Sequence, residues 1–223
     1  MNVCAKSCRL LLTRPEPGSI HDATVLSVRQ YYGEWYLIGE VRKESPMSKS
    51  LALHAMQNPP RCISAFRAET ISELRGKVPS AEDVAGFEIQ CPCGSRAFSI
   101  LGYSEMNEAR SSDTLFIAPL ALECSKCHTI TELMDPRQDG YDAELDGSTV
   151  VTGEGKRVKY QCSDCGAELM SVAVGFEYAI DDEDLDSDER LAERPQDFFT
   201  WFWLYSCCKS CGTVQEVSEY ECA

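Results

Sequence analysis

Two short runs rich in Val, Ile, Tyr and Trp, residues 23–31 and 35–43, flank Gly33, and the pattern predicts a β-hairpin. Ser45-Pro46 then offers a cap and a first-turn proline for a helix extending to about Gln57, where Asn58-Pro59-Pro60 stops it. Thr70 and Glu73 have the spacing of a capping box ahead of Gly76. Residues 1–18, basic, cysteine-bearing and closed by Pro15-Glu16-Pro17-Gly18, read as a flexible tail.

Beyond residue 80 the apolar pattern repeats. Residues 115–133 align with residues 199–217 without a gap, matching Leu120 with Leu204, Cys124 with Cys208, Cys127 with Cys211, Thr129 with Thr213 and Glu132 with Glu216. Upstream, Gln90-Cys91-Pro-Cys93-Gly94 matches Gln161-Cys162-Ser-Asp-Cys165-Gly166 with one residue of slack. After each comes an apolar, strand-like run that closes on Gly102-Tyr103 or on Gly175-Phe176. A repeat of this kind sets the architecture before any single element does. The expected fold class is α+β, mostly β: two tandem antiparallel β units, 81–150 and 151–223, preceded by a small α+β segment, 19–80.

Residues 198–205 form the most apolar run of the chain. Strand alternation puts Phe199, Trp201, Trp203 and Tyr205 on one face and Phe202 and Leu204 on the other. One face packs as core between the two units. Trp201 and Trp203 are candidates for an anchor patch on a partner surface, because Trp and Tyr dominate binding hot spots.

Composition sharpens this picture at the cysteines. The chain has 223 residues, 13 of them Cys against three His, and a formal net charge of -15. No run approaches the roughly 20 apolar residues of a membrane helix, and residues 10–12 are too short an apolar core for a secretory signal, so a cytoplasmic location is expected. Thirteen cysteines in a reducing compartment ask for a metal or for redox chemistry rather than for disulfides. Each repeat supplies two close cysteine pairs separated by strand-like segments. Two tight turns facing each other can place four thiolates around one Zn²⁺. The pairs assign Cys91, Cys93, Cys124 and Cys127 to one site and Cys162, Cys165, Cys208 and Cys211 to a second. The alignment selects Cys208 over Cys207, which falls opposite Glu123. Glycine after the second cysteine, at Gly94, Gly166 and Gly212, fits a knuckle that needs positive φ, and His128 stands where the fourth such glycine would be.

These residues resemble zinc ribbons over about 87–133 and 158–217, which implies two zinc-ribbon-like units and two structural zinc ions. Cys91-Pro-Cys93-Gly94-Ser95 also looks like the opening of the short zinc motif that ends bacterial SecA proteins, although the second half of that motif is missing here. Cys124-Ser-Lys-Cys127-His128 matches the haem c attachment string as well. A haem-bearing segment normally follows export, and thiol redox chemistry uses one Cys-x-x-Cys at a helix start. Two matched quartets favour zinc over both.

Charge then separates the two parts of the chain. Residues 1–80 hold 11 Lys+Arg and 7 Asp+Glu, whereas residues 81–223 hold 10 and 29. With eight thiolates on two Zn²⁺ the formal charge becomes about -19. The densest acid, Asp181, Asp182, Glu183, Asp184, Asp186 and Asp188, lies in the second unit. Its spacing imitates a calcium loop, but Ser187 stands at the required glycine. This acidic balance argues against a phosphate-tracking nucleic-acid binder, which usually carries a basic face, and for a basic protein as partner. No Gly-rich phosphate loop, His-Glu-x-x-His or nucleophile elbow is present. The expectation is a non-enzymatic zinc-binding protein that meets a basic partner through its acidic surface, one version being an inhibitor or immunity-type protein. A nucleic-acid-associated ribbon and an enzyme with its site in residues 20–80 are the alternatives.

Overall fold

A computed structural model describes residues 28–31, 34–37, 46–71, 83–104, 116–141, 143, 152–179 and 193–222. The segment 1–18, the expected boundary near residue 80 and the acidic run 181–188 lie outside the described residues. The chain divides into two compact units, 1–43 and 44–223. In the smaller one, strands β1 (Val28–Tyr31) and β2 (Glu34–Leu37) pair antiparallel, with Tyr31 opposite Glu34, as the pattern around Gly33 predicts.

The larger unit opens with α1 (Pro46–Gln57), which begins at its proline and stops before Pro59-Pro60, where no further N–H could continue the ladder. Leu51, Ala52 and Ala55 on one face are buried, while Leu53 on the other is exposed. A single 3-10 turn, Arg61–Ile63, leads into β3 (Arg67–Ile71). Thr70 does not cap a helix. It sits in β3 opposite Phe87, where β-branched residues suit the pleat, and its hydroxyl donates to the Met56 carbonyl at 3.3 Å.

The remaining strands are β4 (Val84–Gln90), β5 (Phe98–Ser104), β6 (Phe116–Cys124), β7 (Ile130–Met134), β8 (Val158–Lys159), β9 (Met170–Glu177), β10 (Trp201–Cys208) and β11 (Val214–Glu221). With β3 they form one nine-stranded sheet, so the described residues of the larger unit are mostly β, with α1 ahead of the sheet. The registers of the two cysteine-bearing halves coincide. Glu123 pairs with Ile130, Leu122 with Thr131 and Ala121 with Glu132; at a constant offset, Cys207 pairs with Val214, Ser206 with Gln215 and Tyr205 with Glu216. Even the irregularity recurs, between Leu120 and Ala121 in one half and between Leu204 and Tyr205 in the other.

The halves exchange their first strands. β4, which precedes the first cysteine pair, runs beside β9 of the other half, with Glu88 opposite Ala173. β8, which precedes the third pair, runs beside β5, with Lys159 opposite Leu101. Between them Phe98 pairs with Met170, and these two residues hold equivalent positions, each opposite the buried cysteine of the next pair, Cys124 or Cys208. The arrangement is that of an isologous contact folded into one chain.

One continuous core results. Phe176 is central, with its ring centroid 4.8 Å from Phe199, 5.6 Å from Phe202 and 6.0 Å from Phe87. Each such fully buried ring contributes on the order of 1.5–3 kcal/mol. Phe202 and Leu204 face this core as alternation predicts, while Trp201, Trp203 and Tyr205 belong to a second, smaller cluster on the opposite face. Phe199 departs from that prediction and lies in the main core. β10 begins only at Trp201, after the 3-10 turn Pro195–Asp197, so the alternation does not extend back to residue 199.

Candidate metal centres

Four thiols converge at each of two places, Cys91, Cys93, Cys124 and Cys127 at one and Cys162, Cys165, Cys208 and Cys211 at the other, with all Sγ atoms of a set within 4.8 Å of one another. The closest approaches repeat between the sets: Cys91 to Cys127 at 3.6 Å and Cys93 to Cys124 at 3.5 Å, then Cys162 to Cys211 at 3.6 Å and Cys165 to Cys208 at 3.5 Å. A tetrahedron with metal–sulfur bonds of about 2.3 Å has sulfurs about 3.8 Å apart. Both quartets therefore have the size of a single tetrahedral site. Such an all-sulfur set suits Zn²⁺ or iron.

The knuckles hold this geometry through their backbones. Gly166, His128 and Gly212 each donate an N–H to the carbonyl of the first cysteine in their pair, Cys162, Cys124 and Cys208, at 2.8, 3.0 and 2.9 Å. All three have positive φ, 71°, 58° and 77°. The tighter Cys91-Pro-Cys93 pair is accommodated by a shorter turn, with Gly94 N–H donating to Cys91 O at 2.8 Å and φ of 88°. Histidine at position 128 thus does the work of a knuckle glycine, and the Cys-x-x-Cys-His string is part of the first quartet. Cys207 stays outside the second, with its Sγ 3.5 Å from the Gly212 carbonyl.

Burial divides each pair. Cys91, Cys124, Cys162 and Cys208 are buried in the core, whereas Cys127, Cys165 and Cys211 are exposed. A metal here would tie the core to the surface turns. Amides aim at the sulfurs: Lys126 N–H points to Cys124 Sγ and Ser210 N–H to Cys208 Sγ, both at 3.4 Å. Although burial opposes it, the Cys127 and Lys126 amides bring the Cys124 thiol down to about 6. The Thr213 hydroxyl and amide bring Cys211 to about 6. Burial and the neighbouring thiols push Cys91 up to about 12. Cys165 also rises to about 12, because Cys208 and Cys211 outweigh the Ala167 amide that favours its thiolate. Four thiols this close cannot all ionise without a cation among them.

The candidate partner residues Trp201 and Trp203 stack on the outer face of β10, ring centroids 6.1 Å apart and 11° from parallel. Trp203 is 9% exposed, and its Nε1–H donates to Glu219. A groove beside this cluster escaped the sequence reading, because its walls come from β3, β4, β9, β10 and β11. A second cluster it missed gathers Cys62 and Asp197, one from each of the two 3-10 turns, with Asp139 and Cys222. There the Arg61 amide donates to Asp197 Oδ1 at 2.6 Å, and burial pushes the Cys62 thiol up.

Comparison of the chain with family models, with curated proteins and with solved structures gives no match.

Proposed function

We propose that the protein is a non-enzymatic, cytoplasmic zinc-binding protein in which two tandem ribbon-like units present an acidic surface to a basic protein partner. The observation that carries this reading is the pair of closed quartets. Every ligand position is a cysteine sulfur, so a bound Zn²⁺ has no open position for water or substrate and acts as a structural cross-link. Zn²⁺ is preferred to iron because a redox-silent ion suits a purely structural role. The net charge of -15 supports a basic partner, whose approach such a field accelerates and whose complex salt weakens. An inhibitor or immunity-type protein that masks a basic protein is one form this function takes. Immobilised full-length protein is expected to retain basic proteins from lysate and to release them in moderate salt. Recovery of nothing basic, or retention indifferent to salt, would overturn the reading.

A further inference from the structure

The two halves share one sheet geometry but finish its outer face differently. In the first half, Lys159 on β8 reaches Glu123 on β6, Nζ to Oε2 at 2.8 Å, and Arg157 joins Glu132 at 2.6 Å. Register equivalence places Glu88 where the first half has Lys159, and Cys207 where it has Glu123. Among the described residues the Lys159–Glu123 pair therefore has no counterpart in the other half, where Glu88 pairs with Arg96 instead. At that place the second half has a groove of about 100 Å³, lined by Ile71, Glu88, Ala173, Tyr205, Cys207 and Val214, with Ser171 and Ser206 also in its wall.

The charge around the groove is one-sided. Arg96 bridges Glu88 at 2.9 Å and Glu69 at 2.5 Å, so its one guanidinium faces two carboxylates. Glu216 accepts from Tyr205 Oη at 3.1 Å and Glu219 from Trp203 Nε1 at 3.3 Å, which fixes two more acids along the aromatic row. A mostly apolar lining that includes Glu88, with Glu216 bonded to the lining Tyr205, matches a side chain with an aliphatic stem and a cationic head. The volume holds one such stem.

The geometry points to this groove as the docking site for a lysine or arginine side chain of a basic protein segment, seated where Lys159 lies in the other half. The inference rests on the proposed basic partner and gives that partner a contact point. The first half fills this position with its own Lys159, whereas in the second Arg96 is shared between Glu88 and Glu69, which leaves the groove acidic and open to a further cation from outside. Trp201 and Trp203 border the site and add a face that attracts cations.

A fluorescein-labelled peptide of alternating lysine and leucine, titrated into the zinc-loaded full-length chain, tests this. Binding is expected, together with slowed alkylation of Cys207 in peptide mapping. Ala173→Phe, which fills the groove, and Val214→Lys, which places a cation in it, are each expected to weaken binding about tenfold or more while two metal ions per chain are retained. Undiminished binding in both variants with Cys207 unprotected would sink the groove and leave the acidic surface standing. No binding to the unaltered chain would remove both. Equal binding of a glutamate–leucine peptide would overturn the cationic occupant, and self-association abolished by the two variants would make the occupant a second copy of this chain instead. Protection of Cys207 is read on the unaltered chain, so the result does not depend on either variant folding.

Discussion

His128 and Gly212 occupy the same corner of equivalent knuckles, each with positive φ and each donating its amide to the first cysteine of its pair. Nothing lies within 4 Å of a Cβ built at Gly212, so the constraint there is the backbone and not space. A left-handed residue other than glycine costs roughly 1–2 kcal/mol, and a β-branched one is a clear outlier in that region. Histidine tolerates that region better than most residues, so Gly212→His is expected to lower stability by about 1 kcal/mol and Gly212→Val by about 2 kcal/mol. Denaturant titration of the metal-loaded protein measures both. Equal losses would show that the corner does not select for φ.

Metal content follows from which sulfurs meet. Elemental analysis is expected to find two zinc ions per chain, falling to one on Cys208→Ser and remaining two on Cys207→Ser, because Cys208 belongs to the second quartet while the Cys207 sulfur meets the Gly212 carbonyl instead. Apparent binding of the order of 10–16 kcal/mol per structural site would make chelation unfold the ribbon sheet, visible as loss of circular dichroism. A metal-free protein with an unchanged spectrum would contradict the structural role.

The quartets were legible because ligand spacing, knuckle glycines and the left-handed tolerance of histidine are local properties of a few residues. The helix 46–57 was legible for the same reason, with proline at both ends. Thr70 misled because a capping-box spacing also occurs in a strand once β4 pairs beside it. Phe199 misled because alternation was extended past the true start of β10. The strand exchange left almost no trace: β8 is two residues long, and its partner Leu101 lies far away in sequence. The groove depends on that exchange, since Glu88 reaches it only by crossing to β9.

Gly140 presents the opposite situation to Gly212. Its φ is 95°, and a Cβ there would lie 2.6 Å from Cys222 Cβ and 3.1 Å from the Phe199 ring. Backbone strain and overpacking of the core then add, so Gly140→Ala is expected to destabilise by roughly 2–4 kcal/mol, more than any substitution at Gly212. Thermal or denaturant unfolding of the two variants side by side decides this, and a loss at Gly140 no greater than at Gly212 would mean that the Cys222 contact yields freely.

Asp139 gives the fold a pH dependence of definite sign. Burial, reinforced by Asp135 and Asp197, raises its carboxyl to about 6, although the Asp135 amide, donating to Oδ2 at 2.8 Å, and the Arg61 charge work the other way. An aspartate in the unfolded chain titrates near 3.9. Between those values the native state holds a proton that the unfolded chain has lost. Stability from this group is therefore fully present below about 4 and declines as the pH rises through about 6. Asp139→Asn keeps an oxygen for the Asp135 amide and removes the buried charge, so at pH 7 the variant is expected to be more stable by the order of 1–3 kcal/mol. The difference between the two proteins should vanish near pH 4. Thiolate protonation on acidification acts in the opposite direction but equally in both, and cancels when they are compared. Denaturation curves collected from pH 4 to pH 8 measure the difference, and a variant no more stable at pH 7 than at pH 4 relative to the parent would show that Asp139 is ionised without penalty.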